Sequence, residues 1–232
     1  SNLPKQNVDF GGGLERLTMA TIGSPDAFYI DVFDAARGVL EARTGKKYGE
    51  DEATTKAMRI ILDHMRAASF MLAEDIIPSN TEAGYVLRRL IRRAIREADR
   101  LGIKDAVLPD IARGYGEMYK DQYPHVLEHA DKIRDELAQE EEQFRKTLEK
   151  GLREFDKFQK AGRMSGEEAF ILFTTYGFPF ELTAERAGEL GISIDEQDFL
   201  DAMKKHQDES RAGAAQKFAG GLADHSEQTV RY

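Results

Sequence analysis

The sequence predicts an all-α fold, an irregular helical bundle with one long spine helix. Apolar residues recur every three or four positions along most of the chain, which is the spacing of one face of a helix. The 232 residues include only six prolines, and 32% of them are charged, as in a helix-rich globular protein. The hydrophobic content of 41% is enough to build the core of one or two domains.

Four helices are predicted in the first half of the chain. A short apolar helix over 14–22 follows a glycine run. A helix over 27–44 is closed by Gly45, because glycine readily adopts the left-handed conformation of a helix C-cap. A third helix is predicted over about 52–73, and a basic helix follows it and ends near Leu101. The buried side of the third helix is predicted to contain Met58, Ile61, Leu62, Met65, Phe70 and Leu72.

The second half begins with a helix over 111–119, after which Pro124 starts the spine helix, predicted to end near Gln159. The apolar positions of the spine are Ile133, Leu137, Phe144, Leu148, Leu152 and Phe155. Their spacing indicates that the spine packs along one face of other helices. A compact unit begins at 166–173, and a polar helix is predicted from 195 to about 211.

Composition excludes several classes of protein and site. The chain has no cysteine, which excludes disulfides and thiolate metal sites and indicates a reducing compartment. No apolar run approaches the length of a membrane span and the first residues lack a signal-peptide pattern, so a cytoplasmic location is predicted. His125 and His129 have helical spacing for a metal, but the chain has no Cys and no Glu placed between them as in the zinc-protease motif, so a solvated pair is favoured and no metal site is predicted.

Residues 86–104 form a basic helix within an acidic chain. This segment contains seven Lys or Arg residues and two acidic residues, so its local charge is +5, whereas the net charge of the whole chain is −9. One face of this helix carries Arg88, Arg92, Arg96, Arg100 and Lys104, with Arg89 and Arg93 beside them. The planar fork of an arginine can grip two phosphate oxygens. Charge alone leaves two interpretations open, a nucleic-acid surface and a solvated face whose arginines pair with acidic neighbours.

The segment 78–82, Pro-Ser-Asn-Thr-Glu, leads into the basic helix. It combines turn formers with candidates for the helix N-cap. Such a start presents backbone amides and short polar side chains beside the arginines, which suits a phosphate or a base edge. This segment therefore favours the nucleic-acid interpretation.

A second motif occupies residues 9–16, Asp-Phe-Gly-Gly-Gly-Leu-Glu-Arg. Glycines allow a close approach of the backbone to a ligand, and the following arginine supplies positive charge, so the motif suits an anion. A plain loop before a helix is the alternative. The Gly-Lys-Ser or Gly-Lys-Thr of a phosphate loop is missing, which disfavours an ordinary nucleotide triphosphatase.

Taken in order, these segments resemble the alanyl-tRNA synthetase family. Residues 9–16 resemble its third class II motif. The other matching segments are 29–33 (Tyr-Ile-Asp-Val-Phe), 63–67 (Asp-His-Met-Arg-Ala), 78–80 with 84–93 (Pro-Ser-Asn and Gly-Tyr-Val-Leu-Arg-Arg-Leu-Ile-Arg-Arg), 140–144 (Glu-Glu-Glu-Gln-Phe) and 175–179 (Thr-Tyr-Gly-Phe-Pro). The resemblance covers nearly the whole chain, and six motifs in the family's order make it specific.

The resemblance also implies that parts of the enzyme lie outside this sequence. In the family, two class II motifs precede the third, and an editing domain with histidine and cysteine zinc ligands follows. We therefore expect a fragment that does not activate alanine alone. The expected parts are the tail of the class II aminoacylation domain at 3–24, a helical tRNA-recognition domain at 25–160, a C-terminal helical subdomain at 161–212 and a linker towards the editing domain at 213–232.

For the parent enzyme, the resemblance implies an alanine–tRNA ligase that uses ATP and magnesium. Arg16 matches the arginine that holds the ATP triphosphate, and Asp9 matches the carboxylate that pairs with the amino group of alanine. Gly11 matches a small residue that lines the alanine pocket. Gly13 and Glu15 complete the expected ATP- and substrate-binding set, in which Arg16 and Asp9 are the catalytic pair.

For the tRNA, Asn80 matches the residue that reads the guanine–uracil wobble pair in the acceptor stem of alanine tRNA. The resemblance implies that the stem backbone is held by Arg88, Arg92, Arg93 and Arg96. Thr174 stands where many relatives have an aspartate that accepts a hydrogen bond from the same base pair, and its hydroxyl can accept without charge. The plainer role for Asn80 is that of a helix cap or turn residue, and this role is compatible with reading the base pair. A helical scaffold that binds no RNA is the alternative for the whole chain.

Overall fold

A computed structural model describes residues 12–159 and 163–206 of the protein. Within these ranges every regular element is a helix and no strand is present, which confirms the predicted all-α fold. Asp9, Gly11 and the predicted linker lie outside the described residues. The chain divides into two compact units, Ser1–Arg145 and Lys146–Tyr232, and the finer domain boundaries expected from the sequence stay predictions.

The helices follow one another in the predicted order. The first unit contains α1 (Leu14–Thr21), two single 3-10 turns (Ala27–Tyr29 and Asp31–Phe33), α2 (Asp34–Thr44), α3 (Glu52–Ala73), α4 (Glu82–Arg100), α5 (Leu108–Tyr119) and α6 (Pro124–Glu128). Helix α7 (Ala130–Gln159) runs from the first unit into the second. The second unit continues with α8 (Gly166–Tyr176), α9 (Phe180–Glu189) and a helix α10 over 196–206. None of the described helices has both the length and the apolar character that crossing a membrane requires.

The helix predicted over 27–44 is shorter than expected. Two 3-10 turns precede α2, and Ile30 between them is extended, with φ of −72° and ψ of 155°. Burial explains the difference, because Ile30 and Phe33 are each only 3% exposed and a continuous helix would have to reorient them. Gly45 is left-handed, with φ of 68°, and its amide donates to the carbonyl of Glu41, so the predicted C-cap is confirmed.

The spine helix is interrupted once, and its prediction from Pro124 was wrong at this point. Helix α6 ends at Glu128, His129 stands outside helical geometry, and α7 begins at Ala130. The His129 Nδ1 atom lies 2.8 Å from the carbonyl oxygen of His125, which also accepts from the His129 amide at 3.1 Å, and the His129 backbone itself has φ of −92° and ψ of 12°. The break separates the short helix α6 from α7, a continuous helix of 30 residues.

Helices α3 and α4 make the most extensive packing in the first unit, and α2 and α5 pack together beside them. The largest fully buried side chains of this unit include Leu40, Met58, Ile61, Leu62, Met65, Leu72, Leu87, Ile91, Ile95 and Tyr115. The Tyr115 hydroxyl donates to the carbonyl of Leu62 at 2.7 Å, and burial raises the pKa of Tyr115. Tyr115 therefore enters the core with its polar atom satisfied, so the core fixes α5 against α3.

The second unit has its own small core. Phe180 of α9 stacks on Phe199 of α10 with ring centroids 4.5 Å apart, and Ala169 of α8 is buried with them. A capping box starts α8, since Ser165 and Glu168 exchange side-chain and backbone hydrogen bonds. Gly166 lies directly against the backbone of α10, where a Cβ atom would meet the amide nitrogen of Phe199. The sequence thus specifies both the start of α8 and its close contact with α10.

An ionic cluster ties the loop before α2 to α3. The Asp26 carboxylate accepts from the Tyr48 hydroxyl at 2.5 Å, from the Arg59 guanidinium at 2.7 Å and from the Phe28 amide at 3.0 Å. Burial acts to raise the pKa of Asp26, but these three donors together lower it. Burial and the neighbouring Asp26 raise the pKa of Tyr48 to about 12, so its hydroxyl remains a donor.

We expect Asp26→Asn to destabilise the protein by about 1 kcal/mol at neutral pH, because the amide loses the charge that Tyr48 and Arg59 stabilise. Since the native pKa of Asp26 lies below its ordinary value of 3.8, this stability is present above that pH and is lost as the pH falls through the native pKa. Urea denaturation at neutral pH and near pH 3 measures the difference. The control is Asp131→Asn, because the Asp131 side chain is exposed, and its expected loss of stability is below about 0.5 kcal/mol. An equal loss of stability from Asp26→Asn at both pH values would contradict the conclusion that the charge of Asp26 stabilises the protein.

Candidate nucleic-acid interface

Helix α4 separates its apolar and basic residues onto opposite faces. Its fully buried apolar residues are Leu87, Ile91, Ala94, Ile95 and Ala98, and they face the core. Leu90, and Leu101 directly after the helix, are only partly buried. The arginines on the other face differ in exposure, from the buried Arg96 to the exposed Arg100, so the surroundings of each decide what it can bind.

The segment before α4 folds back over the start of the helix. The Ser79 amide donates to the Gly84 carbonyl at 3.0 Å, and the Ser79 hydroxyl donates to the Thr81 carbonyl at 3.0 Å. Glu82 has a φ of 50°, a left-handed value that residues other than glycine rarely adopt. Residues 77–84, called the entry turn below, thus have a defined shape that these contacts maintain against local strain.

Asn80 lies exposed on the entry turn, and its side chain contacts Arg88. The Arg88 Nη1 atom donates to Asn80 Oδ1 at 2.5 Å, and Nη2 donates to the Pro78 carbonyl at 3.0 Å. Thr81 occupies the N-cap position of α4, without a side-chain cap hydrogen bond, so Asn80 does not have the cap role considered as an alternative. The structure thus brings together two residues predicted to contact the tRNA, and one holds the other.

Glu140 of α7 is the acidic partner of two arginines on α4. Its side chain is 5% exposed, and its Oε1 atom lies 2.6 Å from both Nε and Nη2 of Arg92 and 3.4 Å from Nε of Arg88. The Arg92 guanidinium also lies over the Phe144 ring, 5.1 Å from its centroid. Burial lowers the pKa of Arg92, which Glu140 opposes. Glu140 therefore joins α4 to α7 through a largely buried ion pair.

The remaining basic residues of α4 have varied surroundings. Arg96 is buried, with 6% of its surface exposed. Arg93 contributes to the low pKa of Asp63 on α3, after the larger effect of a hydrogen bond from His64. At the end of the helix, Arg100 is 49% exposed and lies 3.5 Å from the buried Glu97. Pairing with acidic neighbours thus describes part of the basic face, and the exposed part of that face lies at the C-terminal end of α4.

A second buried carboxylate, Glu141, organises the start of α5. Its Oε2 atom accepts from the amides of Val107 and Leu108 at 3.4 and 3.3 Å, and its Oε1 atom accepts from Arg145 at 2.7 Å. Burial raises the pKa of Glu141, although Arg145 and the two amides act in the opposite direction. Through this carboxylate, α7 supplies the cap that the amides at the start of α5 need.

Sequence reasoning did not identify Glu140 and Glu141 as residues that build the site. A signal was present, because Leu137 and Phe144 lie on the buried face of α7 and positions 140 and 141 fall between them on that face. Two glutamates at core positions of an amphipathic helix need partners for their buried charges. Glu141 has Arg145 on the same helix, and Glu140 needs a partner from another element. Such a partner was available in the arginine stripe of α4.

At the other end of the first unit, Gly13 is the N-cap residue of α1 and Arg16 lies exposed on its first turn. The neighbouring Glu15 pairs with Arg66 of α3 at 2.7 Å, and Arg66 lies over the Phe33 ring. An exposed arginine at a helix start fits a polyphosphate by charge and by its accessible donors. Among residues 12–159 and 163–206, no group of three or more His, Asp or Glu is arranged to hold a metal ion.

Thr174 lies exposed on α8 in the second unit. Its hydroxyl donates to the carbonyl of Phe170 at 2.9 Å. The hydroxyl oxygen keeps lone pairs with which it can accept a hydrogen bond from a partner. Thr174 thus has the acceptor chemistry that the sequence assigned to it, without a negative charge.

Comparison with known proteins gives a consistent result. The model of the tRNA synthetases class II (A) family matches residues 1–231. The alanine–tRNA ligase of Borreliella afzelii (strain PKo) is 42% identical over 234 residues, which cover 99% of this chain and 39% of that protein. The alanine–tRNA ligase of Treponema pallidum (strain Nichols) is 41% identical over 238 residues, which cover 99% of this chain and 39% of that protein. The alanine–tRNA ligase of Geobacillus thermodenitrificans (strain NG80-2) is 41% identical over 216 residues, which cover 90% of this chain and 25% of that protein. The chain therefore spans no more than about two fifths of the length of these relatives.

Proposed function

Because the chain belongs to the class II tRNA synthetase family, we propose that it is the part of an alanine–tRNA ligase that recognises the acceptor stem of alanine tRNA. The element read is the guanine–uracil wobble pair, and Asn80 is the residue that reads it. The whole ligase activates alanine with ATP and magnesium and transfers it to the tRNA. This chain supplies tRNA recognition and one segment of the aminoacylation site.

The proposal is supported by the exposed position of Asn80 and by its contact with Arg88. Its amide stands exposed on a defined turn at the start of a basic helix, and Arg88 holds it there. An asparagine amide offers both donors and an acceptor to a base edge. In double-stranded RNA the shallow minor groove is the accessible one, and a wobble pair leaves the guanine amino group available there. The exposed turn therefore suits readout of that pair.

Backbone contacts to the stem are assigned to the basic face of α4, to which Arg88, Arg92, Arg93 and Arg96 belong. Contacts of this kind supply affinity that falls as salt rises. Since Arg92 and Arg96 are mostly buried, we expect Arg93 and the exposed Arg100 to provide more of the salt-sensitive affinity. Thr174 is assigned as a second acceptor for the wobble pair.

The segment that leads into α1 is assigned to ATP and alanine in the whole ligase. Arg16 would bind the triphosphate of ATP, with Gly13 and Glu15 shaping the same helix start, and Glu15 is anchored by Arg66. Asp9 and Gly11 are assigned to alanine, the first through its carboxylate and the second through its small size.

We expect Asn80→Ala to remove the preference for the wobble pair. The test is binding of acceptor-stem transcripts that carry either guanine–uracil or guanine–cytosine at this position, over a salt series. One lost hydrogen bond predicts that the ratio of the two dissociation constants falls by about fivefold to tenfold, with little change in the salt slope. As a contrast, Arg100→Ala should weaken both transcripts alike and reduce the slope by about 1.

An unchanged ratio in Asn80→Ala would reject the role of Asn80. Lack of RNA binding by the unmodified chain at low salt would favour the second candidate function, a helical scaffold. The pairing of Glu140 with Arg92 and Arg88 supports that candidate, because it gives the basic face a purely structural task.

A further inference from the structure

Arg88 lies on the basic face, but its side chain contacts the entry turn and Glu140. Its guanidinium uses one terminal nitrogen for Asn80 Oδ1 and the other for the carbonyl of Pro78. Its Nε atom faces Glu140 at 3.4 Å, and the side chain is 22% exposed. We propose that Arg88 is a positioning residue that orients the Asn80 amide, and so determines base-pair specificity rather than phosphate affinity. This inference rests on the proposed function of Asn80.

The hydrogen bond from Arg88 determines the orientation of the Asn80 side-chain amide. A guanidinium has donors and no acceptor, so the atom of Asn80 that faces it is the oxygen. The amide nitrogen of Asn80 then points away from Arg88. An amide that could rotate by half a turn would exchange donor and acceptor and read a different pattern of base-edge groups. With Arg88 in place, the Asn80 amide presents one pattern only.

The fixed orientation matches what a wobble pair offers. The bound Oδ1 keeps a second lone pair that can accept from the guanine amino group, while the NH2 group can donate to a neighbouring carbonyl or 2′-hydroxyl oxygen. Because the side-chain torsion is already fixed in the free protein, less conformational entropy is lost on binding. The orienting contact therefore adds to discrimination between base pairs.

Two features of Arg88 argue against a main role in binding phosphate. Its two terminal nitrogens already donate to oxygens of the entry turn, so a phosphate would have to compete for them. Its positive charge is close to Glu140, which is 5% exposed and reduces the attraction for a second anion. Lysine could retain the charge at this position, but its single ammonium cannot reproduce the planar fork that spans two carbonyl oxygens.

The test uses Arg88→Lys in the full chain, with the pair of wobble and guanine–cytosine transcripts over a salt series. We expect the preference for the wobble transcript to fall by about fivefold to tenfold, as in Asn80→Ala, while the salt slope stays unchanged because the charge is kept. The double variant should lose no more preference than Asn80→Ala alone, since Arg88 acts through Asn80. Arg153→Lys, on an exposed arginine of α7, is the matched control and should leave preference and slope unchanged.

The outcomes separate the inference from the function beneath it. If Asn80→Ala abolishes the preference but Arg88→Lys retains it, the positioning role is overturned and the proposed function stands. If Arg88→Lys reduces the salt slope and weakens both transcripts alike, Arg88 is a phosphate ligand and the inference is again wrong. If the unmodified chain shows no preference, the proposed function and the inference fail together.

A measurement on the free protein tests the contact itself. The side-chain amide resonances of Asn80 in nitrogen–proton correlation spectra should shift in Arg88→Lys, while the Asn80 backbone remains folded and the melting temperature stays near that of the unmodified chain. Unchanged Asn80 side-chain resonances would show that Arg88 does not hold the amide, and would overturn the inference independently of RNA binding.

Discussion

Replacing Glu140 with alanine is expected to lower the free energy of unfolding by about 3–5 kcal/mol, because it removes the carboxylate that contacts the largely buried Arg92 guanidinium through two nitrogens. Arg92 has a side chain that is 13% exposed, and both its Nε and Nη2 atoms lie 2.6 Å from Glu140 Oε1. Arg88 loses the same carboxylate. Urea denaturation followed by circular dichroism measures the change.

Two variants test whether the charge is the cause. Glu140→Gln keeps the size and one acceptor oxygen, so its loss should lie between that of alanine and zero. Glu149→Ala removes a glutamate from the same helix, but there both Glu149 and its partner Arg153 are more than 70% exposed. That change should cost less than about 1 kcal/mol. A similar loss from Glu140→Ala and Glu149→Ala would mean that the buried pair contributes no more than a surface pair.

Gly84→Ala is the substitution with the second large expected effect. It should lower the free energy of unfolding by about 1–3 kcal/mol, because the entry turn is forced to move. A Cβ atom at this position would lie 2.6 Å from the carbonyl oxygen of Ile77 and would also overlap the Ser79 hydroxyl. The backbone of the turn must move, because the carbonyl oxygen has no rotamer that avoids the contact. Since Asn80 belongs to this turn, the preference for the wobble transcript should fall together with stability.

Gly38→Ala provides the matched control in helix α2. A Cβ atom there meets nothing within 4 Å. The substitution should stabilise the protein by about 0.5–1 kcal/mol, because alanine has the higher helix propensity. Opposite signs for the two substitutions would identify the close approach at Gly84 as the cause. A neutral or stabilising Gly84→Ala would show that the entry turn can move at little cost.

The order and type of the helices could be predicted from local sequence, because helical periodicity and caps are local properties. Helix α3 begins and ends as predicted, and Gly45 closes α2 as expected. The errors arose where tertiary contacts decide. Burial of Ile30 and Phe33 divides the start of the predicted helix over 27–44, and a side-chain contact of His129 accompanies the break before α7.

The similarity to a family could also be predicted, since it depends on the order of short motifs, and the comparison with known proteins confirms it. The expected roles of individual residues stay predictions. What sequence reasoning missed is the pair of buried carboxylates on α7. Arg145 lies four residues after Glu141 on the same helix, so that pair could have been found from local spacing. Arg92, the partner of Glu140, and the amides of Val107 and Leu108 do not follow from composition, because a charge count does not show which elements meet.

The basic helix shows which properties follow from the sequence and which depend on the tertiary structure. The sequence by itself determined that a helix with an arginine face ends near Leu101 and follows a polar turn that contains Asn80, because spacing within a helix determines which side chains share a face. Only the tertiary structure decided how each arginine is used. Arg88 reaches back eight positions to Asn80, and Arg92 meets Glu140 from 48 positions away. Contacts at such separations depend on how the helices pack, and that packing converts a uniform basic face into distinct positions, one orienting an amide and another joining two helices.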